Sequence, residues 1–290
     1  MINLVNKFKY FLQFVIISLL LLIFKLVGLN YSRSISKKIL FLLGPLFRSN
    51  KITKSNISIA FPKENENFKK KIMKEMWMTY GAILAEYNFI KKFRSIGFMD
   101  QIEVEGLDEI EKLKTSKQPV VFVSGHFDNF ELMAMYIENY GIDLAVIYRP
   151  LNNIFLNPIM ENIRKKYICK RQIKKGISGT KELLKYFKLG SSIALMIDQR
   201  VSEGIKCEFF GKEALTTTIP AQFVKKFNCK IVPIYIERTK TNNFKLKIYK
   251  PLDFTKDDTI KTITSSLNSI LEKMIVKNPS QWIWTHNRWK

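Results

Sequence analysis

Histidine is almost missing from this chain: two occur in 290 residues, and cysteine stops at three. Cys169, Cys207 and Cys229 lie far apart and form no CxxC pair, and His126 is separated from His286 by most of the chain. That spacing signals neither a disulfide framework nor a metal site, and it fits a globular part kept in a reducing compartment. Acidic residues are the third shortage. Aspartate plus glutamate number 25 against 48 lysine plus arginine, a formal net charge of +23. Such a surface seeks polyanions: nucleic acid, an anionic membrane, a phosphorylated lipid or an acidic carrier protein. Repeats and low-complexity linkers are absent, and a hydrophobic fraction of 47% excludes both disorder and a multi-span membrane protein.

What is present begins with an apolar run. Tyr10 to Phe24 carries no charge, but as a helix it covers only about 22 Å, short of the ~30 Å hydrocarbon core. With Lys25 snorkelling, Tyr10 to Leu29 becomes long enough to span. No A-x-A cleavage site follows, so residues 1–30 are expected to be a retained membrane anchor, with a helix lying in one leaflet as the alternative. Lys25, Arg33, Lys37 and Lys38 follow the run closely, against Lys7 and Lys9 before it, which places the C-terminal bulk in the cytoplasm. Residues 31–97 read as a helical, membrane-proximal segment. It includes Ile35 to Phe47, interrupted by Gly44-Pro45, and one or two helices over Asn65 to Phe93.

From residue 98 to 290 strand and helix alternate. Val120–Val123, Leu144–Tyr148, Ile193–Ile197 and Ile231–Ile236 read as central strands, and Phe244–Tyr249 as an edge strand. Helices are expected at about Asp128–Asn139, Asn153–Tyr167, Ser178–Phe187, Ile219–Phe227 and Asp257–Val276. This pattern predicts an α/β domain with a mainly parallel central sheet flanked by helices.

One stretch organises the rest. Val120 to Glu131 reads VVFVSGHFDNFE, a buried strand ending in a tight turn with His126 at its tip. Ligands gather at the carboxyl ends of strands in such sheets, and a neutral imidazole there can take a proton from an attacking hydroxyl. A histidine that only caps or packs at the turn fits the position equally well. Asp128 and Glu131 have the spacing of a helix capping box, yet either is also close enough in sequence to hold the His126 ring. Spacing does not choose between them.

HFDNFE fits the HX4D/E pattern of glycerolipid-type acyltransferases, and as GHFDNFE it resembles the late acyltransferases of lipid A biosynthesis, the lauroyl and myristoyl transferases. Further matching text follows in order: AFP at Ala60–Pro62, YRP at Tyr148–Pro150, NP at Asn157-Pro158, DQ at Asp198-Gln199, FFG with A and T over Phe209–Thr216, VP at Val232-Pro233, and the closing QWIWTHNRWK. The resemblance covers nearly the whole chain.

It implies a glycerolipid acyltransferase-like fold at the inner membrane, with His126 as general base and Glu131 as its orienting acid. It also implies an acyl donor carried on acyl carrier protein, a phosphorylated glycolipid acceptor attacked without an acyl-enzyme step, and no metal or other cofactor. Arg149 matches a basic family position and is expected to hold a phosphate or polarise the thioester carbonyl. Asp198 ends the next strand within reach of His126 or Arg149, or of helix N–H groups. Phe210 and Gly211 are expected to line an acyl pocket or acceptor site, although aromatics before glycine more often pack. Trp282, Trp284 and Trp289 suit either an interfacial belt or the plug of a core. A nucleic-acid partner is not expected, because the charge is spread along the chain and no recognition motif accompanies it.

Overall fold

Helices α1 (Leu4–Val27), α2 (Leu29–Phe47), α3 (Asn50–Ala60), α4 (Glu66–Tyr87) and the short α5 (Ile90–Phe93) and α6 (Ile96–Met99) come first in this computed structural model, which describes residues 3–99 and 102–290. Residues 100 and 101, just inside the expected start of the α/β unit, lie outside the described residues. Side-chain caps start the long helices where the sequence offers them: Asn3 accepts from the N–H of Asn6, and Asn65 from that of Phe68. Helix α2 runs through Gly44-Pro45 and closes at Phe47, two residues past a proline that cannot donate to the carbonyl of the preceding turn. It packs closely on α4: a Cβ at Gly81 would sit 2.3 Å from the Ser36 carbonyl oxygen, so Gly81 sets that approach.

The α/β part contains β1 (Ile102–Glu105), α7 (Leu107–Ser116), β2 (Val121–Ser124), α8 (Glu131–Asn139), β3 (Leu144–Tyr148), α9 (Leu156–Ile163), which continues as a π turn over Arg164–Ile168, then β4 (Arg171–Lys174), α10 (Ile177–Lys188) and β5 (Ser192–Met196). A hairpin of β6 (Ile205–Phe209) and β7 (Lys212–Thr216) follows, then α11 (Ile219–Phe227), β8 (Ile231–Arg238), β9 (Phe244–Ile248) and α12 (Ile260–Lys277). The seven-stranded sheet has the order β1-β9-β8-β2-β5-β3-β4. Strands β8, β2, β5, β3 and β4 are mutually parallel, β9 runs antiparallel to β8, and β1 is parallel to β9. All four residues of β2 are buried, as a strand covered on both faces requires.

The fold class is therefore the expected one, with two differences in detail and one alternative decided. Phe244–Ile248 is not an edge, because the polar IEVE of β1 pairs outside it. Helix α8 starts at Glu131 and not Asp128, whose φ of 38° is incompatible with a right-handed helix. The tryptophans Trp282 and Trp284 are buried beside the sheet and form a plug, not a belt. One hydrophobic core joins the sheet to Ile57, Ile72, Met76 and Ile90 of the helical segment.

Candidate active site

Parallel pairing of β2 with β5 sets Ser124 opposite Met196, and two residues further along each strand stand His126 and Asp198. They meet. The Asp198 carboxylate, fully buried, accepts three hydrogen bonds: from the His126 backbone N–H at 2.7 Å, from His126 Nδ1 at 2.8 Å and from the Trp282 indole N–H at 2.8 Å. Burial would raise its pKa, but the His126 ring and these donors more than reverse that, so the carboxyl sits below its usual range and stays charged. The His126 side chain is 20% exposed, and the Phe130 ring lies edge-on to it at 4.7 Å. Among the described residues, Nε2 has no hydrogen-bond partner, so the ring is anchored on one side and open on the other.

Gly125 lets the carboxylate approach. A Cβ there would lie 2.9 Å from the Phe127 ring and 3.1 Å from Asp198 Oδ2. Gly125→Ala is expected to displace Asp198, lowering turnover at least tenfold and stability by about 1–3 kcal/mol. Steady-state kinetics and chemical unfolding on the same preparation check it.

Glu131 is not on the histidine. Its Oε1 accepts from Arg164 Nε at 2.8 Å and Nη2 at 2.6 Å, and from the Tyr87 hydroxyl. The expectation that Glu131 orients His126 is corrected accordingly: the parallel strands deliver Asp198 to Nδ1, while the Phe127–Phe130 loop turns Phe130, not Glu131, toward the ring. Burial and the Glu131 charge push the Tyr87 hydroxyl well above its ordinary pKa, which keeps it a donor. Arg164 and Tyr87 were not identifiable from sequence. Arg164 sits in the run RKKYI with nothing to separate it from its basic neighbours, and the π turn that aims it is a tertiary feature.

Asp128 serves neither the ring nor a capping box. It forms a two-pronged ion pair with Arg238, Nη2 to Oδ1 at 2.6 Å and Nε to Oδ2 at 3.1 Å. Arg238 also pairs with Glu86, which accepts from Arg33 Nε at 2.7 Å and from the Asn129 amide at 2.8 Å. Burial would raise the Glu86 pKa, but Arg238, then Arg33, hold it below the usual range. Asp128 is pushed up, by burial and by the Glu86 charge, against the pull of Arg238. The network ties the turn after β2 to α2, α4 and the end of β8, so the loop carrying His126 is locked from beneath.

Arg149 is exposed at the end of β3, with a 3.4 Å contact to Asn152 and no carboxylate partner among the described residues. Phe210 and Gly211 form the two-residue turn between β6 and β7, with φ of 53° and 70°. Phe210 packs against Phe61, Phe209 and Trp289, and its N–H donates to Glu272. Their contacts are those of a hairpin turn packed on aromatic neighbours. A positive-φ phenylalanine is rare enough that FFG gave no turn signal. Among the described residues no group of three or more His, Cys, Asp or Glu has the arrangement to hold a metal ion.

His286 is half-buried, its Nδ1 lacks a partner, and burial lowers its pKa to about 4. The unfolded chain then takes up this proton first as pH falls from about 6.5 toward 4, so stability is lost across that window. His286→Gln is expected to lessen that loss by on the order of 1 kcal/mol, after allowance for solvent screening, in urea titrations at pH 7 and pH 4.5.

The family described as bacterial lipid A biosynthesis acyltransferase matches residues 3–290. The chain belongs to that family. Among curated lipid A acyltransferases, it is 22% identical over 252 residues to the lipid A biosynthesis palmitoleoyltransferase of Escherichia coli K12, covering 84% of this chain and 80% of that one. It is 25% identical over 244 residues to the lipid A biosynthesis acyltransferase of Haemophilus influenzae, covering 82% and 76%. With the E. coli lipid A biosynthesis lauroyltransferase it shares 22% over 249 residues, covering 84% and 79%. A crystal structure of the 1-acyl-sn-glycerophosphate acyltransferase from Thermotoga maritima aligns with 87% of this lipid A acyltransferase family member and 99% of its own chain, at 13% identity and a TM-score of 0.43.

Proposed function

We propose that this chain transfers a fatty acyl chain from an acyl carrier protein thioester to a hydroxyl of a lipid A precursor, with His126 as general base. The observation that supports this reading most is a histidine anchored by a buried, charged carboxylate and open at Nε2, in a chain of the lipid A acyltransferase family. With Nδ1–H donated to Asp198, Nε2 is the unprotonated nitrogen, a tautomer assigned from the hydrogen-bond pattern. Nε2 takes the proton of the acceptor hydroxyl as its oxygen attacks the thioester carbonyl. The tetrahedral intermediate expels the thiolate, and the imidazolium returns the proton to it. Asp198 stabilises the imidazolium between these steps.

Glu131 fixes the Arg164 guanidinium and Arg149 offers an unpaired charge, two positions for meeting lipid phosphate or the developing oxyanion. In this reading residues 1–30 attach the protein to the cytoplasmic side of the inner membrane, 31–97 form a membrane-proximal helical layer and 98–290 carry the chemistry. The surplus of positive charge suits both an anionic membrane and an acidic carrier protein. Membranes containing the protein, given acyl carrier protein thioester and lipid A precursor, should yield a lipid heavier by one acyl chain in mass spectra. A product only from lysophospholipid, offered in parallel, would sink the assignment of acceptor.

A further inference from the structure

The Asp198 carboxylate divides its three donors unevenly. Oδ1 takes the His126 ring at 2.8 Å, whereas Oδ2 takes both the His126 backbone N–H at 2.7 Å and the Trp282 indole at 2.8 Å. Two donors on one oxygen fix the plane of the carboxylate, so Oδ1 is left to the ring. The indole itself cannot turn away. Its backbone pairs with Phe127 across an antiparallel bridge, and the Gln281 carbonyl before it accepts from the Asp128 N–H. Its ring, 1% exposed, lies edge-on to Trp284 at 4.6 Å and to Phe209 at 6.1 Å. An indole N–H donates and never accepts. Oδ2 therefore keeps this donor through every protonation state of the histidine.

We propose that Trp282 is a positioning residue of this site: its indole N–H aims Asp198 at His126 and sets how tightly the ring holds a proton. Its part in catalysis rests on the general-base reading above, but the tuning follows from the hydrogen bonds alone. Asp198 is wholly buried, and where water is excluded each donor neutralises more of the carboxylate charge. Removing the indole N–H leaves Oδ2 one donor, so more negative charge falls to Oδ1. The imidazolium beside it is then favoured and gives up its proton less readily. With the indole in place the pair is less basic, which suits a base that must hand its proton to a thiolate within each turnover. Neighbouring groups do not supply this effect. The edge of Phe130 against the ring is uncharged. The Asp198 charge also acts on Tyr80 from α4 and on His286 and Arg288 from the C-terminal segment. Burial keeps the Tyr80 hydroxyl protonated and leaves His286, lowered to about 4, neutral at pH 7. Arg288 directs its guanidinium to the Leu215 carbonyl at 2.6 Å and the Thr216 hydroxyl at 2.7 Å, and not to Asp198.

With only two histidines, each ring can be titrated by NMR in the full chain: isotope-labelled histidine in detergent gives two imidazole signals, assigned with His286→Gln. Trp282→Phe removes the N–H and keeps an aromatic ring in place. It should raise the titration midpoint of the His126 ring by about 0.5–1 pH unit and move the acid limb of kcat/KM for acyl transfer up by the same amount. Trp284→Phe is the control for lost packing, since its N–H donates to the Pro279 carbonyl at 2.6 Å and not to Asp198. It should move neither. An unchanged midpoint in folded Trp282→Phe, or an equal shift in Trp284→Phe, would overturn the proposal. Should Trp282→Phe not fold, the wild-type protein decides: the Trp282 indole N–H signal should shift as His126 titrates, and a signal that stays fixed overturns the proposal equally. The ring titration is read without substrate. A raised midpoint in a protein that transfers no acyl chain would therefore support this inference and count against the general-base reading alone.

Discussion

His126→Ala is expected to slow acyl transfer by 10²- to 10⁴-fold, the usual contribution of a positioned general base, and to cost about 1–3 kcal/mol of stability because the buried Asp198 carboxylate loses its ring partner. The ring is partly exposed, and its loss leaves the sheet and the loop network in place. Asp198→Asn should come close to the same loss in turnover without removing the base, because the amide holds the ring but not the charge on the imidazolium. Glu131→Gln tests a different element. It unpairs Arg164 without touching Nδ1 of His126, so its defect should be rescued in part by Glu131→Asp and should not alter the pH dependence of the base. Single-turnover acyl transfer over a range of pH separates the three. Wild-type turnover by His126→Ala would remove the catalytic assignment.

Arg238→Met is expected to cost about 3–5 kcal/mol of stability, the largest loss for any single substitution considered. In the folded protein Arg33 and Arg238 balance Glu86 and Asp128, all of them buried. Removing Arg238 strands two carboxylates beside one arginine, and neither reaches water. Activity should fall with stability, since Asp128 would no longer pin the turn that carries His126. Adding Glu86→Gln to Arg238→Met should recover part of the loss, and a double-mutant cycle by urea unfolding in detergent measures how much. Additive effects would show that Arg238 and Glu86 are not coupled.

The strand-end position of His126 was legible because a continuous apolar strand and a Ser-Gly turn are local signals. The partner of its ring was within the same reach: Ile193–Ile197 is as plain a strand as Val120–Val123, and aligning the two as parallel neighbours sets Asp198 beside His126. The short motif points to Glu131, whereas Asp198, also at a strand end within reach of the ring, is selected by the pairing of β2 with β5, a relation between distant segments. Arg164, Tyr87 and Arg238 left no trace in the sequence, since each acquires its role only from what folding brings against it. Strands β1 and β4 were missed for a related reason: IEVE and RQIK are short and polar, and they are strands because a neighbour offers hydrogen bonds. The Phe210-Gly211 turn breaks the usual turn chemistry, so composition hid the hairpin.

The indole of Trp282 donates to Asp198, and the adjoining backbone pairs with the loop at Phe127 and Asp128. These contacts join residues made early in translation to residues made much later. A partly synthesised chain can therefore form its first helices long before His126 and Asp198 are braced, and the complete site is assembled only once the C-terminus is made. Proteolytic nicking ahead of Trp282 should accordingly act as an off switch, leaving the N-terminal helices intact but the histidine unbraced.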